Sequence, residues 1–176
     1  MAPTRDGPRA VVFDEAMIAA RVRALGREIT AAFPEGKLLV LGLLKGSFIF
    51  VSDLVRRIER PLQVDFLVAG SYGSGTASSG EVKLLYAPET DWTDSHVLLV
   101  EDIIDSGRTV NRIVGMLRGR GMRSLNLCTL LHKRAAADLE LEPAFVGFDA
   151  PASFLVGYGL DHAEEFRNLP YIASLT

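Results

Sequence analysis

The chain has few of the residues that build disulfide frameworks or zinc sites. It contains one cysteine, Cys128, and three histidines among 176 residues. A single cysteine has no intrachain disulfide partner, and its position inside the apolar run 125–131 predicts a buried, inert thiol. The sequence also has no Walker A lysine loop and no nucleophile elbow, so covalent and zinc mechanisms have no candidate residues.

Strong charge and long apolar runs are also missing. The net charge is −3 and the isoelectric point is about 5.6, which leaves no basic face for nucleic acid or an anionic membrane. The apolar run 38–44 is too short to cross a bilayer, and the polar first nine residues do not resemble a signal peptide. We therefore expect a cytoplasmic protein that binds neither nucleic acid nor membranes.

The length and the hydrophobic pattern indicate one α/β domain. The hydrophobic fraction is 48% and the charged fraction 23%, as in ordinary globular proteins. Apolar runs of strand length alternate with helical patterns, first at 15–33, which predicts a mainly parallel sheet flanked by helices. We expect residues 1–9 to form a flexible tail and 10–176 to form a single domain.

The segment 97–110 carries the strongest functional pattern. The apolar run 97–100 predicts a strand that leads into Glu101, Asp102 and Asp105, and a small-residue turn then opens a helical pattern. Clustered carboxylates repel one another unless a metal, sugar hydroxyls or a base hold them, and a helix N-terminus binds phosphate well. A simpler interpretation is that Asp105 or Ser106 caps the helix. We expect such capping as well, although it leaves the first two acids unexplained.

The segment from Glu101 to Thr109 resembles the signature of type I phosphoribosyltransferases, in the variant found in hypoxanthine-guanine phosphoribosyltransferases. The shared pattern is two acids, two apolar residues, a third acid, and then Ser-Gly-x-Thr. The resemblance implies a mainly parallel sheet flanked by helices, with a small hood subdomain built from chain-terminal segments. It also implies purine salvage, in which a 6-oxopurine and 5-phosphoribosyl 1-pyrophosphate give a nucleoside monophosphate and pyrophosphate.

The resemblance also implies roles for the residues of this signature. Glu101 and Asp102 would hold the ribose hydroxyls, directly or through Mg²⁺, and Asp105 would act as the general base on the purine N7. The turn would grip the phosphoribosyl group through Asp105, Ser106, Gly107, Arg108 and Thr109.

Two further segments correspond to the pyrophosphate site of the family. Taken alone, Leu44-Lys45-Gly46 is a glycine turn with an exposed lysine, and Arg167 is an ordinary surface charge. The resemblance implies that the backbone amides of this turn, together with Arg167, bind pyrophosphate. Family members often have a cis peptide before the lysine, and we expect one at Leu44–Lys45.

The remaining matches concern the purine and a lid. The resemblance implies that Lys133 binds the exocyclic oxygen, Phe154 stacks on the base and the Leu155 backbone reads its edge, with Asp161 nearby. Without the resemblance, these residues are a solvated lysine, a core strand over 154–158 and a surface aspartate.

The Gly/Ser/Thr-rich stretch 70–80 is either a surface hairpin tip or a lid that carries Ser71 and Tyr72.

The resemblance implies Mg²⁺ as cofactor, held by Glu101, Asp102 and Asp161, and it implies a homodimer or homotetramer. Trp92 or the first helix could lie at its interface. Hypoxanthine, guanine and xanthine differ only at the 2-position, so a xanthine-preferring enzyme is the alternative within catalysis. Outside catalysis, some relatives of this fold are nucleotide-sensing regulators. The lack of a basic face in this chain argues against that alternative.

Overall fold

Two β-sheets organise the molecule. The structure is a computed structural model that describes residues 8, 10–71, 82–135 and 138–175. The larger sheet has the strand order β4-β3-β2-β5-β6-β7. In chain order its strands are β2 (Lys37–Leu44), β3 (Gln63–Ser71), β4 (Val82–Tyr86), β5 (Ser95–Ile104), β6 (Ser124–His132) and β7 (Phe145–Asp149). All neighbours pair in parallel except β3 and β4, which are antiparallel. This confirms the predicted α/β fold.

Three helices connect these strands: α1 (Glu15–Ala32), α2 (Phe48–Val55) and α3 (Arg108–Leu117). The first begins where the Asp14 side chain accepts a hydrogen bond from the Met17 amide at 2.8 Å, a typical N-cap. Its apolar residues at helical spacing are buried, as predicted: Ile18, Val22, Leu25 and Ile29. The helix ends just before Pro34, which cannot continue it.

The two central strands, β2 and β5, are covered on both faces, because helices lie on either side of the sheet. Leu38 and Val40 of β2 belong to one apolar cluster, while Leu39 and Leu41 belong to the other. This alternation explains why both strands are continuous apolar runs in the sequence. Trp92 is only 2% exposed and packs in the second cluster, so the expectation that it could lie at an interface is wrong.

The smaller sheet has three strands in the order β1-β9-β8: β1 (Ala10–Phe13), β8 (Leu155–Val156) and β9 (Ile172–Ser174). It corresponds to the hood, since chain-terminal segments supply two of its strands. The predicted strand over 154–158 is shorter, because the backbone turns at Gly157 and Tyr158, where φ is +98° and +51°. Within the described ranges, no helix is both long and apolar enough to span a membrane.

One strand boundary differs from the prediction in a way that affects the site. We predicted that the strand before the acids covers 97–100, whereas β5 continues to Ile104. Glu101 stays in parallel register with Thr129 of β6, and Ile104 with His132. The first two acids therefore lie on rigid strand rather than on a loop.

Candidate active site

The carboxyl ends of the parallel strands form one rim, where ligands bind in open α/β sheets. A cavity of about 330 Å³ opens there; we call it the rim cavity. Most of this cavity is lined by segments that the sequence analysis predicted to be functional. The lining residues include Leu44, Lys45, Gly46, Glu101, Asp102, Asp105, Ser106, Gly107, Thr109, Asp161 and Arg167.

The two strand acids differ in their exposure to solvent. Glu101 is 7% exposed, and its Oε1 accepts a hydrogen bond from the Asp102 amide at 3.1 Å. Oδ1 of Asp102 accepts from the Ile103 amide at 2.7 Å. Burial, and then repulsion from Asp102, raise the pKa of Glu101 well above its usual value. A cation or hydroxyl groups in the cavity would counter that repulsion.

The loop after β2 packs directly against these acids. A Cβ atom on Gly46 would lie 1.6 Å from Oδ2 of Asp102, and one on Gly159 would lie 2.1 Å from the Gly46 carbonyl oxygen. Any larger residue at either position would displace its neighbour. The expected cis peptide at Leu44–Lys45 is present.

The turn between β5 and α3 has a different cap from the one we predicted. Gly107 is the N-cap of α3, with φ of +79° and no side-chain cap hydrogen bond, so the expectation that Asp105 or Ser106 caps the helix is wrong. Glycine adopts this left-handed conformation without strain. The first amides of α3 consequently have no side-chain acceptor from the cap and remain available to an anion.

The five predicted residues of this turn do not all reach the cavity. Asp105 and Ser106 are exposed and, with Gly107 and Thr109, line the rim cavity. Arg108 is the first residue of α3. It is exposed and is not among the residues that line the cavity.

Two cations at the cavity contact the segment that carries Asp161. Nη2 of Arg167 lies 2.8 Å from Oδ1 of Asp161, and its Nη1 donates to the Gly159 carbonyl at 2.7 Å. Nζ of Lys45 lies 3.0 Å from Oε2 of Glu164, and Nη2 of Arg167 lies 3.4 Å from the same oxygen. The hydrogen bond from Lys45 lowers the pKa of Glu164. Sequence reasoning missed Glu164, because nothing in the sequence distinguishes it from the neighbouring exposed Glu165.

A second cavity of about 220 Å³ adjoins the rim cavity; we call it the side cavity. Its lining includes Lys133, Phe154 and Leu155, which the sequence assigned to the purine. Four residues line both cavities, namely Asp102, Ile103, Asp105 and Asp161. The two spaces therefore share one wall, and the third acid of the signature lies on it.

The side cavity brings a cation and an aromatic ring together. Nζ of Lys133 lies 3.0 Å from Oδ2 of Asp105. Phe154 is 48% exposed, so its ring is available to a planar ligand. The His162 ring meets Phe154 edge-on, with centroids 5.4 Å apart; sequence reasoning assigned no role to this histidine.

The predicted lid falls largely outside the described residues. Ser71 is the last described residue of β3, and Tyr72 and the rest of the stretch up to 80 lie beyond it. The lid stays a prediction.

Comparison with known proteins identifies the family to which this chain is similar. Residues 12–163 match the model of the phosphoribosyl transferase domain family. The chain is 42% identical over 167 residues to a hypoxanthine phosphoribosyltransferase of Buchnera aphidicola, and 94% of each chain is covered. It is 42% identical over 165 residues to a hypoxanthine-guanine phosphoribosyltransferase of Bacillus subtilis, covering 94% of this chain and 92% of the relative.

A solved structure extends the similarity to three dimensions. A hypoxanthine-guanine phosphoribosyltransferase from Bacillus anthracis superposes with a TM-score of 0.90 at 38% sequence identity. The match covers 97% of this chain and 100% of that one.

Proposed function

The chain belongs to the phosphoribosyl transferase domain family, and we propose that it transfers a 5-phosphoribosyl group to hypoxanthine or guanine in purine salvage. The relatives that match almost the whole chain carry hypoxanthine or hypoxanthine-guanine phosphoribosyltransferase names. The protein is thus an enzyme of the pentosyltransferase class.

The observation that carries this proposal is the wall shared by the two cavities. The rim cavity offers acids, helix-terminal amides and two cations, which suit a phosphorylated sugar and a pyrophosphate. The side cavity offers an exposed aromatic face and an ammonium group, which suit a planar base with an oxygen substituent. A sugar carbon at the shared wall would face both ligands.

The reaction exchanges one bond at C1 of the ribose for another. N9 of the purine forms the new bond to C1 as the bond from C1 to the pyrophosphate oxygen breaks, and pyrophosphate leaves. In our proposal Asp105 accepts the N7 proton of the base as N9 attacks. The Lys45 loop and Arg167 bind the departing group, and the turn with Ser106 and Thr109 holds the 5′-phosphate.

The carboxylates of the site fit Mg²⁺, the cofactor implied by the family. Within the described residues no group of three or more metal-ligand side chains forms a complete site, whereas Asp102 and Asp161 line both cavities. Mg²⁺ is typically held by one or two carboxylates with substrate oxygens and water. Asp102 and Asp161 would hold the ion. Glu101, which the resemblance also implies as a ligand, lines the rim cavity beside Asp102. When bound, the ion neutralises charge on the pyrophosphate.

Lys133 supports a 6-oxopurine as the substrate. An ammonium group donates hydrogen bonds but cannot accept them. It therefore suits the oxygen of hypoxanthine or guanine and opposes the amino group of adenine. In our proposal Lys133 leaves Asp105 to make this contact.

A spectrophotometric assay with each purine tests the function. Hypoxanthine, guanine, xanthine and adenine are each supplied with 5-phosphoribosyl 1-pyrophosphate, with and without Mg²⁺. We expect nucleotide formation from hypoxanthine and guanine, dependent on Mg²⁺, and little from adenine. A preference for xanthine would correct the substrate, and no turnover with any base would reject the proposal.

Three finer expectations accompany the function. We propose a homodimer or homotetramer, in keeping with the resemblance, and a cytoplasmic location. A lid that includes Ser71 and Tyr72 belongs to the same proposal. Sedimentation of the purified protein and limited proteolysis with and without substrate would test the assembly and the lid.

A further inference from the structure

Glu164 occupies a position that the proposed reaction does not use. Its carboxylate lies between two cations of the rim cavity, with Oε2 3.0 Å from Nζ of Lys45 and 3.4 Å from Nη2 of Arg167. Lys45 and Arg167 both line the cavity. Their charges therefore already have a carboxylate partner before any substrate is present.

The backbone around Glu164 fixes this arrangement. The Glu164 amide donates to Oδ2 of Asp161 at 2.8 Å, while His162 and Glu165 exchange two backbone hydrogen bonds at 3.0 and 3.2 Å. Ala163, Glu164 and Phe166 have φ values of +52°, +66° and +76°. Such left-handed conformations persist in non-glycine residues only where the surroundings hold them. The short segment thus directs the Glu164 side chain at the two cations.

A carboxylate and a phosphate-type oxygen make the same kind of contact with lysine and arginine. We propose that Glu164 is a built-in competitor for the pyrophosphate group, which occupies Lys45 and Arg167 in the free enzyme and is displaced when substrate binds. This inference rests on the proposed function, because it assumes that pyrophosphate is the ligand of Lys45 and Arg167.

The exposure of the residues makes the displacement feasible. The side chains of Lys45 and Glu164 are 67% and 65% exposed, and exposed ion pairs are weak. A ligand with several negative charges gains more from the same cations than one carboxylate does. Arg167 keeps its contacts with Asp161 and the Gly159 carbonyl when Glu164 leaves, so the site does not collapse.

Glu164 could either compete with pyrophosphate or only hold Lys45 and Arg167 in place. These two roles predict opposite effects on the affinity for pyrophosphate. If Glu164 competes, removing its charge strengthens binding of pyrophosphate. If it only orders Lys45 and Arg167, removing its charge weakens that binding. If Glu164 competes, its carboxylate also promotes the release of product pyrophosphate by binding Lys45 and Arg167 again.

Calorimetric titration with inorganic pyrophosphate in the presence of Mg²⁺ tests the inference on the full chain. We expect Glu164→Gln to lower the dissociation constant by ~3–10-fold, the scale expected when one exposed ion pair, to Lys45, and one longer contact, to the mostly buried Arg167, are removed. The inhibition constant of pyrophosphate as a product should fall by the same factor. Glu164→Asn is the second variant, because asparagine removes the charge and tolerates the left-handed backbone.

Glu89→Gln is the matched control, since it changes the net charge equally at an exposed residue that lines neither cavity. We expect it to bind pyrophosphate like the unchanged protein. Equal or weaker binding by both Glu164 variants, in protein that still makes nucleotide, would overturn the inference alone. If the unchanged protein neither binds pyrophosphate nor makes nucleotide, the proposed function itself fails.

Discussion

Gly46 and Asp102 lie so close that the loop after β2 and the acid pair on β5 form a single unit. A Cβ atom on Gly46 would be 1.6 Å from Oδ2 of Asp102 and 2.5 Å from its carboxyl carbon. On the other side, the Gly46 carbonyl oxygen leaves no room for a Cβ on Gly159. The proposed pyrophosphate loop, the proposed ribose acid and the segment leading to Asp161 are therefore packed through two glycines.

This packing predicts the effect of adding one methyl group. Gly46→Ala should lower kcat/KM by about 10²-fold, because small misplacements of a positioning group cost on that scale. Steady-state kinetics would measure the loss. Gly115→Ala is the matched control: Gly115 lies in α3, and a Cβ added there would have no atom of another segment within 4 Å. Because that added Cβ meets no other segment, Gly115→Ala should keep full activity and gain about 0.5–1 kcal/mol in unfolding free energy. Full activity in Gly46→Ala would show that the contact is not needed.

The role proposed for Asp105 can be tested by an isosteric change. Asp105→Asn should reduce turnover by about 10²–10⁴-fold, the usual contribution of a general base. Asp105 is exposed, so the melting temperature should change little. Pre-steady-state measurement is needed to observe the chemical step itself. An unchanged rate of that step would remove Asp105 from the mechanism.

Phe154 provides a test of the side cavity as the base site. Phe154→Ala should weaken purine binding by about 1–3 kcal/mol, the typical value of one aromatic stack. The effect should appear in the KM of the purine and leave that of the sugar pyrophosphate nearly unchanged. Phe154→Tyr keeps the ring face and should retain most of the affinity. Equal losses for both substrates in Phe154→Ala would argue against stacking.

His132 predicts a pH dependence of stability. It is 3% exposed, and neither ring nitrogen has a hydrogen-bond partner within the described residues. Burial, and then the charge of Arg134, lower its pKa, while Glu142 and Asp149 act in the opposite direction. Below pH 6.5 the unfolded chain therefore binds a proton that the folded chain does not, so stability falls as the pH falls.

His132→Leu should remove that part of the dependence. Between pH 7.5 and 5.5, the unfolding free energy of the unchanged protein should fall more steeply than that of the variant. The difference in slope should reach at most about 1.4 kcal/mol per pH unit for one proton. Urea denaturation at a series of pH values measures both slopes, and parallel profiles would exclude His132 as the source.

Much of the fold could be predicted from hydrophobic periodicity, because the apolar residues of each helix or strand recur at the spacing that places them on its buried face. The first helix and the strand β2 are correct within a few residues. Three features were harder to predict. The strand β5 runs through its acids because β6 pairs with it up to Ile104, and β1 and β9 stabilise each other only by long-range pairing. The N-cap of α3 is also Gly107, where a Cβ would lie within 2.8 Å of the Asp138 carbonyl oxygen and the Leu139 side chain, which are remote in the chain.

The sequence by itself determined that the segments following β2, β5 and β6 reach one rim of the sheet. Strand and helix periods follow from nearest-neighbour geometry, and carboxyl ends of parallel strands must share an edge. Only the tertiary structure decided how those groups pair, since pairing depends on distances between segments remote in the chain. Lys45 and Glu164 are 119 residues apart, and Lys133 and Asp105 are 28 apart. Local sequence patterns carry no information about such through-space contacts, so both ion pairs emerged only from the packed molecule.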